Sequence, residues 1–462
     1  MKKNSVLKVV FFTILLTVIL TWILPSTYYN GGIVDNGRTQ LGLFDLIGYL
    51  NAVMSSFGYI PLYILAVGGF YGVLYQTNGY RNLLDKIVNK YRGHEWIFLT
   101  LVMIIFAVIT SFSGLTLGLL FLFPMIITTI LLMGYSKTTA VLTTVGSVCI
   151  GLIGTTFSAI ETTAINSTLN LVPSSELLAK FVLLGLGLVI LIVNTIMYSR
   201  KHKIAEARKG FLYPESSNPK AKSWPIVVVF DLVLLIMILS FVSWNDVFSI
   251  DIFDQALKSI TSFKIGEFAI FAKLLGGVSA FGNWQLSDLI ALVVFAALFV
   301  AFLGRVKFDD MLKGFGAGAR KALTPAFIAS ILYVLVYIAA YNPFIITIVK
   351  PILELTKSFN VVTTSVVAII THFFNVELYF SASNMLTYIT SVFTDSGVYG
   401  TIGVIWQATY GLTMLFVPSS VILVTVLSYL NVSYFKWLKA IWKILLQLLV
   451  LLLAVFLIIA LI

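Results

Sequence analysis

The chain has 462 residues, 59% of them hydrophobic and only 11% charged, too apolar for a soluble globular fold, whose charged share is about 25%. Its net charge of +11 is carried in short basic clusters between apolar runs. That is how cytoplasmic loops of a membrane protein are built, and it excludes a nucleic-acid partner. The single cysteine, Cys149, lies inside an apolar run, so no disulfide framework and no thiol-rich metal site are expected; separately, no cofactor is expected.

At about 20 apolar residues per crossing, spans are expected near 6–24, 57–78, 96–112, 114–134, 139–157, 177–199, 225–244, 285–303, 322–342, 359–378, 380–394, 398–432 and 437–461. The first follows Met1-Lys2-Lys3 but is too long for a secretory signal and lacks an A-x-A cleavage site, so it reads as a retained span. Five basic clusters should be cytoplasmic: Lys2, Lys3 and Lys8; Arg81, Lys86, Lys90 and Arg92; 200–222; Arg305, Lys307, Lys313, Arg320 and Lys321; and Lys436, Lys439 and Lys443. This puts the N-terminus inside a cytoplasmic membrane and the C-terminus outside. Stretches 25–56 and 245–284 fall outside, with 268–278 lying on the membrane surface. The Gly-rich step 314–318, between Asp309-Asp310 and Arg320-Lys321, reads as a cytoplasmic surface helix.

The expected fold is an all-α polytopic membrane protein of about 11 to 13 transmembrane segments. Residues 1–199 form a first half with a hairpin near 111–134. Residues 200–223, polar and basic with two prolines, form a cytoplasmic linker. Residues 224–462 form a second half with a hairpin near 380–395.

The run 96–134 carries no charge yet is interrupted by Ser111-Phe112-Ser113-Gly114. Backbone groups freed at membrane depth cost several kcal/mol each unless they face protein or water, so such a break is expected to line a cavity. Ser381-Ala382-Ser383-Asn384 repeats the pattern in the second half. Further on, 151–158 ends the next span of the first half, and 411–417 with Pro418-Ser419-Ser420 takes the same place in the second. The span count runs the two units in opposite directions, the inverted-repeat plan of secondary transporters.

At Gly68-Gly69-Phe70-Tyr71-Gly72-Val73, Lys90-Tyr91-Arg92-Gly93, 241–254 with Ser-Trp-Asn-Asp, 406–411, Val417-Pro418-Ser419-Ser420 and Phe435-Lys436-Trp437-Leu438-Lys439, the chain resembles the YfcC-type membrane carriers. These are related to the anaerobic four-carbon dicarboxylate carriers and include arginine–ornithine antiporters. The resemblance implies a secondary carrier of ion-transporter-superfamily type, with a hairpin and a broken helix in each repeat around a central site, and a homodimer through a fixed scaffold. One departure bears on substrate. Where the family shows G-x-G-E-E, this chain has Gly114-Leu115-Thr116-Leu117-Gly118, without the acid pair that would suit a cation. The family's N-P pair is likewise replaced, by Phe157-Ser158 or by Thr155-Thr156.

The expected substrate ligands are Ser111, Ser113, Gly114, Thr116, Thr155, Thr156 and Ser158 in one half. In the other they are Ser381, Ser383, Asn384, Gln407, Thr409, Ser419 and Ser420. Hydroxyls and amides beside half-helix ends suit both poles of a zwitterion. Glu377 and Glu161 are expected ion-coupling residues, because ionisable groups at membrane depth are costly and functional by default; Asn375 joins them as a polar neighbour that, with His372, could pair with Glu377, although a lone histidine on a span is more often structural. There is no phosphate loop, no H-E-x-x-H and no G-x-S-x-G, so neither an ATP-driven pump nor an enzyme is expected. The reading is a secondary active transporter, an ion-coupled symporter or exchanger of an amino acid or related small carboxylate, coupled to Na⁺ or H⁺. The alternatives are a non-transporting scaffold with the carrier fold and an ion channel.

Overall fold

The computed structural model describes residues 5–77, 79–203, 221–356 and 358–461, the side chains of 159 and 160 excepted. The basic linker expected at 200–223 lies mostly outside the described residues. Among the described residues, eight helices are long and apolar enough to cross a bilayer: Ser5–Ile23, Tyr59–Thr77, Glu95–Ser113, Leu177–Lys201, Trp224–Phe241, Leu286–Leu303, Phe308–Tyr341 and Tyr434–Leu461. The protein is an all-α polytopic membrane protein, and shorter helices build its interior.

The first interior unit begins at Glu95. Helix Glu95–Ser113 ends at Gly114, and the chain returns through Leu117–Phe121 and Phe123–Leu132. Both ends of this hairpin meet at one face, where Lys203 lies 3.8 Å from the Glu95 carboxylate and 5.5 Å above the Tyr135 ring. The following helix, Lys137–Ile153, climbs to mid-depth and breaks, and Ala159–Leu169 completes the crossing.

The second unit repeats this upside down. Helix Val361–Phe373 descends to a turn, Leu378–Val392 returns, and Phe359 and Phe393 pack at 5.8 Å where the two arms part. Tyr399–Met414 and Val421–Leu430 are the halves of the second broken helix. The two broken helices run antiparallel: Gly403 packs beside Ile165, Leu169 and Leu171, while Lys137 Nζ donates to Leu430 O at 2.6 Å. They cross at their breaks. A Cβ on Gly411 would lie 2.4 Å from Ile153 N, so only glycine permits the approach.

The interruption expected within 398–432 falls at 415–420, where the chain turns through Pro418. One expectation is corrected here. The Gly-rich step 314–318 is not a surface helix but part of the long crossing Phe308–Tyr341. Gly314 and Gly318 face Gly68 and Gly72 so closely that a Cβ on Gly72 would meet Gly314 O at 2.0 Å, and backbone contact of this kind is what small residues supply in lipid.

Candidate functional site

Each break frees backbone carbonyls, and side-chain donors reach several of them. Ser111 Oγ donates to Gly154 O at 2.6 Å and lies 3.1 Å from Thr156 Oγ1, while Thr156 N donates to Ser111 O at 2.9 Å. Gln407 Nε2 donates to Thr155 O at 3.1 Å, tying the second broken helix to the first. In the second unit Ser419 Oγ donates to Phe373 O at 2.8 Å, Tyr410 Oη to Val376 O at 3.2 Å, Trp437 Nε1 to Leu415 O at 2.7 Å and Tyr434 Oη to Phe416 O. Tyr63 and Tyr71 donate to Gly118 O and Phe121 O at 2.6 and 2.8 Å. The breaks are thus satisfied by protein, which is what allows them at membrane depth.

Between the breaks lies a cavity of about 450 Å³. The first hairpin tip contributes Gly114 and Thr116; the second contributes Val376 and Glu377. Glu161 enters just beyond the first break, and Tyr410, Met414, Val421 and Ile422 come from the second broken helix. Tyr59 and Tyr333 form a wall from the surrounding helices, and Asp246, Asn283 and Trp284 close the rim. The tip is held tightly. Gly114 has φ of 72°, and a Cβ there would lie 2.1 Å from Ser158 Oγ and 2.9 Å from Glu161 Cγ. Ser158 in turn caps the helix after the break by accepting from Glu161 N at 3.3 Å. Sequence thereby delivers Glu161 to the cavity: a left-handed glycine, a capping serine, then the acid within the first turn.

The residues expected at the site fall into three groups, with Ser420 apart. Gly114, Thr116, Glu161 and Glu377 line the cavity. Ser111, Thr156, Gln407 and Ser419 stitch the breaks together, as above. Ser113, Thr155, Ser381 and Thr409 bond to carbonyls of their own helices at 2.6–2.9 Å. Ser420 is buried, and its hydroxyl has no hydrogen-bond partner among the described residues.

The second hairpin also sits earlier than expected. Its turn is 374–377, where Glu377 is extended with φ of −135° and ψ of 148°, not 380–395. Ser383 and Asn384 therefore lie in the return arm and face a separate cavity of about 350 Å³ with Tyr28, Tyr29 and Pro343. The S-x-S match misled because Ser381 satisfies itself on Leu378 O within an unbroken helix. Of the two readings of His372 and Asn375, a structural role or a pairing with Glu377, the hydrogen bonds follow the structural one. His372 Nε2 bonds Trp406 O at 2.9 Å and Asn375 Nδ2 bonds Thr371 O at 2.9 Å, while Glu377 accepts from Tyr333 Oη. Tyr59, Tyr333, Tyr410, Asp246 and Trp284 were missed. Tyr410 and Asp246 carried a signal, Tyr410 beside Gln407 in the motif 406–411 and Asp246 at the end of Ser-Trp-Asn-Asp.

A family model of the C4-dicarboxylate anaerobic carriers matches residues 4–462. The chain belongs to the C4-dicarboxylate anaerobic carrier family. A comparison with curated proteins finds no match. Among solved structures, the Alcanivorax borkumensis YdaH transporter, described as having an unusual topology, is similar at a TM-score of 0.44 and 14% identity, covering 98% of this chain and 97% of that one. In the present chain a third cavity, of about 360 Å³, lies where Thr425, Val426 and Tyr429 continue the helix whose first turn borders the acidic cavity. Its lining is apolar except for hydroxyl groups and Lys321.

Proposed function

We propose that the protein is a secondary active transporter of an amino acid or related small carboxylate, of the YfcC-type branch, working in the cytoplasmic membrane with its N-terminus inside. One observation carries the reading: two oppositely inserted hairpins and two broken helices bring their interruptions to one mid-depth cavity, and two carboxyl groups, Glu161 and Glu377, stand in it. A passive scaffold has no use for that arrangement, because ionisable groups at such depth are costly to keep. Glu377 is the coupling residue in this account. It sits on a hairpin turn and is held by Tyr333 from a different helix, so its protonation or cation binding can be read by both elements.

Proteoliposome uptake tests this. Saturable, gradient-dependent accumulation supports a carrier; purely downhill flux indicates a channel, and no flux across a broad amino acid and carboxylate panel indicates a scaffold. In Glu377→Gln, gradient-driven accumulation should vanish while substrate exchange persists. Accumulation with unchanged ion dependence contradicts the assignment of Glu377.

A further inference from the structure

The cavity of about 360 Å³ is built unlike the central one. Two of its walls are the crossings Tyr59–Thr77 and Phe308–Tyr341, locked together through Gly68, Gly72, Gly314 and Gly318. The other walls are the returning arm of the first hairpin, at 120–127, and the second half of the second broken helix, at 425–429. Among the described residues that line it, Lys321 is the only charged one. Lys321 is exposed and forms no ion pair among the described residues. Its ammonium lies 5.4 Å above the Tyr75 ring, at the basic end of the molecule, where Gly304 approaches Thr77 and Arg305 and Lys307 follow. Away from that end stand Ile64, Val67, Leu120, Ile127 and Val426.

The length of the cavity says what fits. From Tyr75 to Ile64 it follows one helix for about 16 Å at 1.5 Å per residue. One leaflet of a hydrocarbon core about 30 Å thick is about 15 Å deep. The cavity is therefore as long as a lipid chain in a single leaflet, largely apolar along that length and positive at its open end. A chain lodged there removes the apolar lining from water, and a lysine at the mouth matches a lipid phosphate. The central cavity, lined by Glu161 and Glu377, offers a phosphate no such partner.

We infer that this cavity holds one acyl chain of an anionic phospholipid, with the phosphate at Lys321. The orientation proposed above opens it to the cytoplasmic leaflet, whose surface is anionic. The chain touches the glycine-locked crossings on one side and the hairpin and broken helix on the other, so its presence bears on any movement between them. Binding here does not depend on the transport reading.

Photolabelling of the purified full-length protein in detergent–lipid micelles tests this, the probe being a phosphatidylglycerol with a diazirine near the end of one chain. Labels should fall on 64–72, 120–127 and 425–429. Lys321→Gln should reduce them by about fivefold, the effect of one lysine on an anionic lipid. Lys313→Gln removes a lysine of the same helix that does not line the cavity, and should leave them unchanged. Unlabelled phosphatidylglycerol should compete better than phosphatidylcholine by a similar factor. If Lys321→Gln does not fold, Val426→Phe, which fills the place of the chain, should remove the same labels. Labels confined to the outer faces of Leu177–Lys201 and Tyr434–Leu461 would overturn the proposal. So would equal competition by phosphatidylcholine, equal loss in the two lysine variants, or competition by oleate alone, which would assign the cavity to a free fatty acid. Labelling of the cavity in a protein that shows no uptake would remove the transport reading and leave this one standing; uptake with no label there would do the reverse.

Discussion

Gly114 shows how much one residue without a side chain decides. Its φ of 72° is a conformation that costs an L-residue about 1–2 kcal/mol, and a Cβ would press on both the Ser158 cap and the stem of Glu161. Gly114→Ala should therefore reduce uptake by at least tenfold by displacing Glu161. Gly93→Ala is the control: Gly93 has φ of 85° but nothing within 4 Å of an added Cβ, so it should lose a little stability and no transport. Equal loss of uptake in both variants would show that backbone strain alone, not crowding at the site, is responsible.

At the scale of elements, the two hairpins and two broken helices hold together through side chains that bond to carbonyls freed by the partner element. Ser111 is the clearest of these, with its hydroxyl 2.6 Å from Gly154 O. Ser111→Ala leaves a buried carbonyl without its donor, which costs about 1–3 kcal/mol. It should lower the thermal midpoint in detergent while leaving ligand affinity within about threefold, since Ser111 does not line the cavity. A large affinity loss at unchanged stability would return Ser111 to the binding site.

This division of labour is what the sequence concealed. Serines and threonines marked the breaks correctly at 111–114, 154–158 and 415–420, because a break must be satisfied by something polar. Residue type alone does not say whether a hydroxyl faces its own helix, a neighbouring break or the cavity. Glu161 and Glu377 were legible because carboxyl groups in apolar sequence are rare. The tyrosines were not, since a tyrosine in a membrane span also reads as an interfacial anchor.

For the whole molecule, the apolar runs gave the long crossings, and the antiparallel broken helices show the inverted arrangement of the two interior units. Register was harder: the second hairpin turn falls at 374–377, several residues before the S-x-S motif that seemed to mark it, because the helix ends at Phe373 without a glycine or proline to signal it. The long glycine-lined crossing Phe308–Tyr341 was hidden by its charges, which run from Asp309 to Lys321.

The central claim is that the space between the two tips is where substrate binds. The most direct measurement is the accessibility of a cysteine at Thr116, in a background where the buried Cys149 is replaced by serine. A small membrane-impermeant thiol reagent should label Thr116→Cys in sealed vesicles, and a transported solute should slow that labelling by at least fivefold. Labelling indifferent to every transported solute, or none from either side of the membrane, would contradict it.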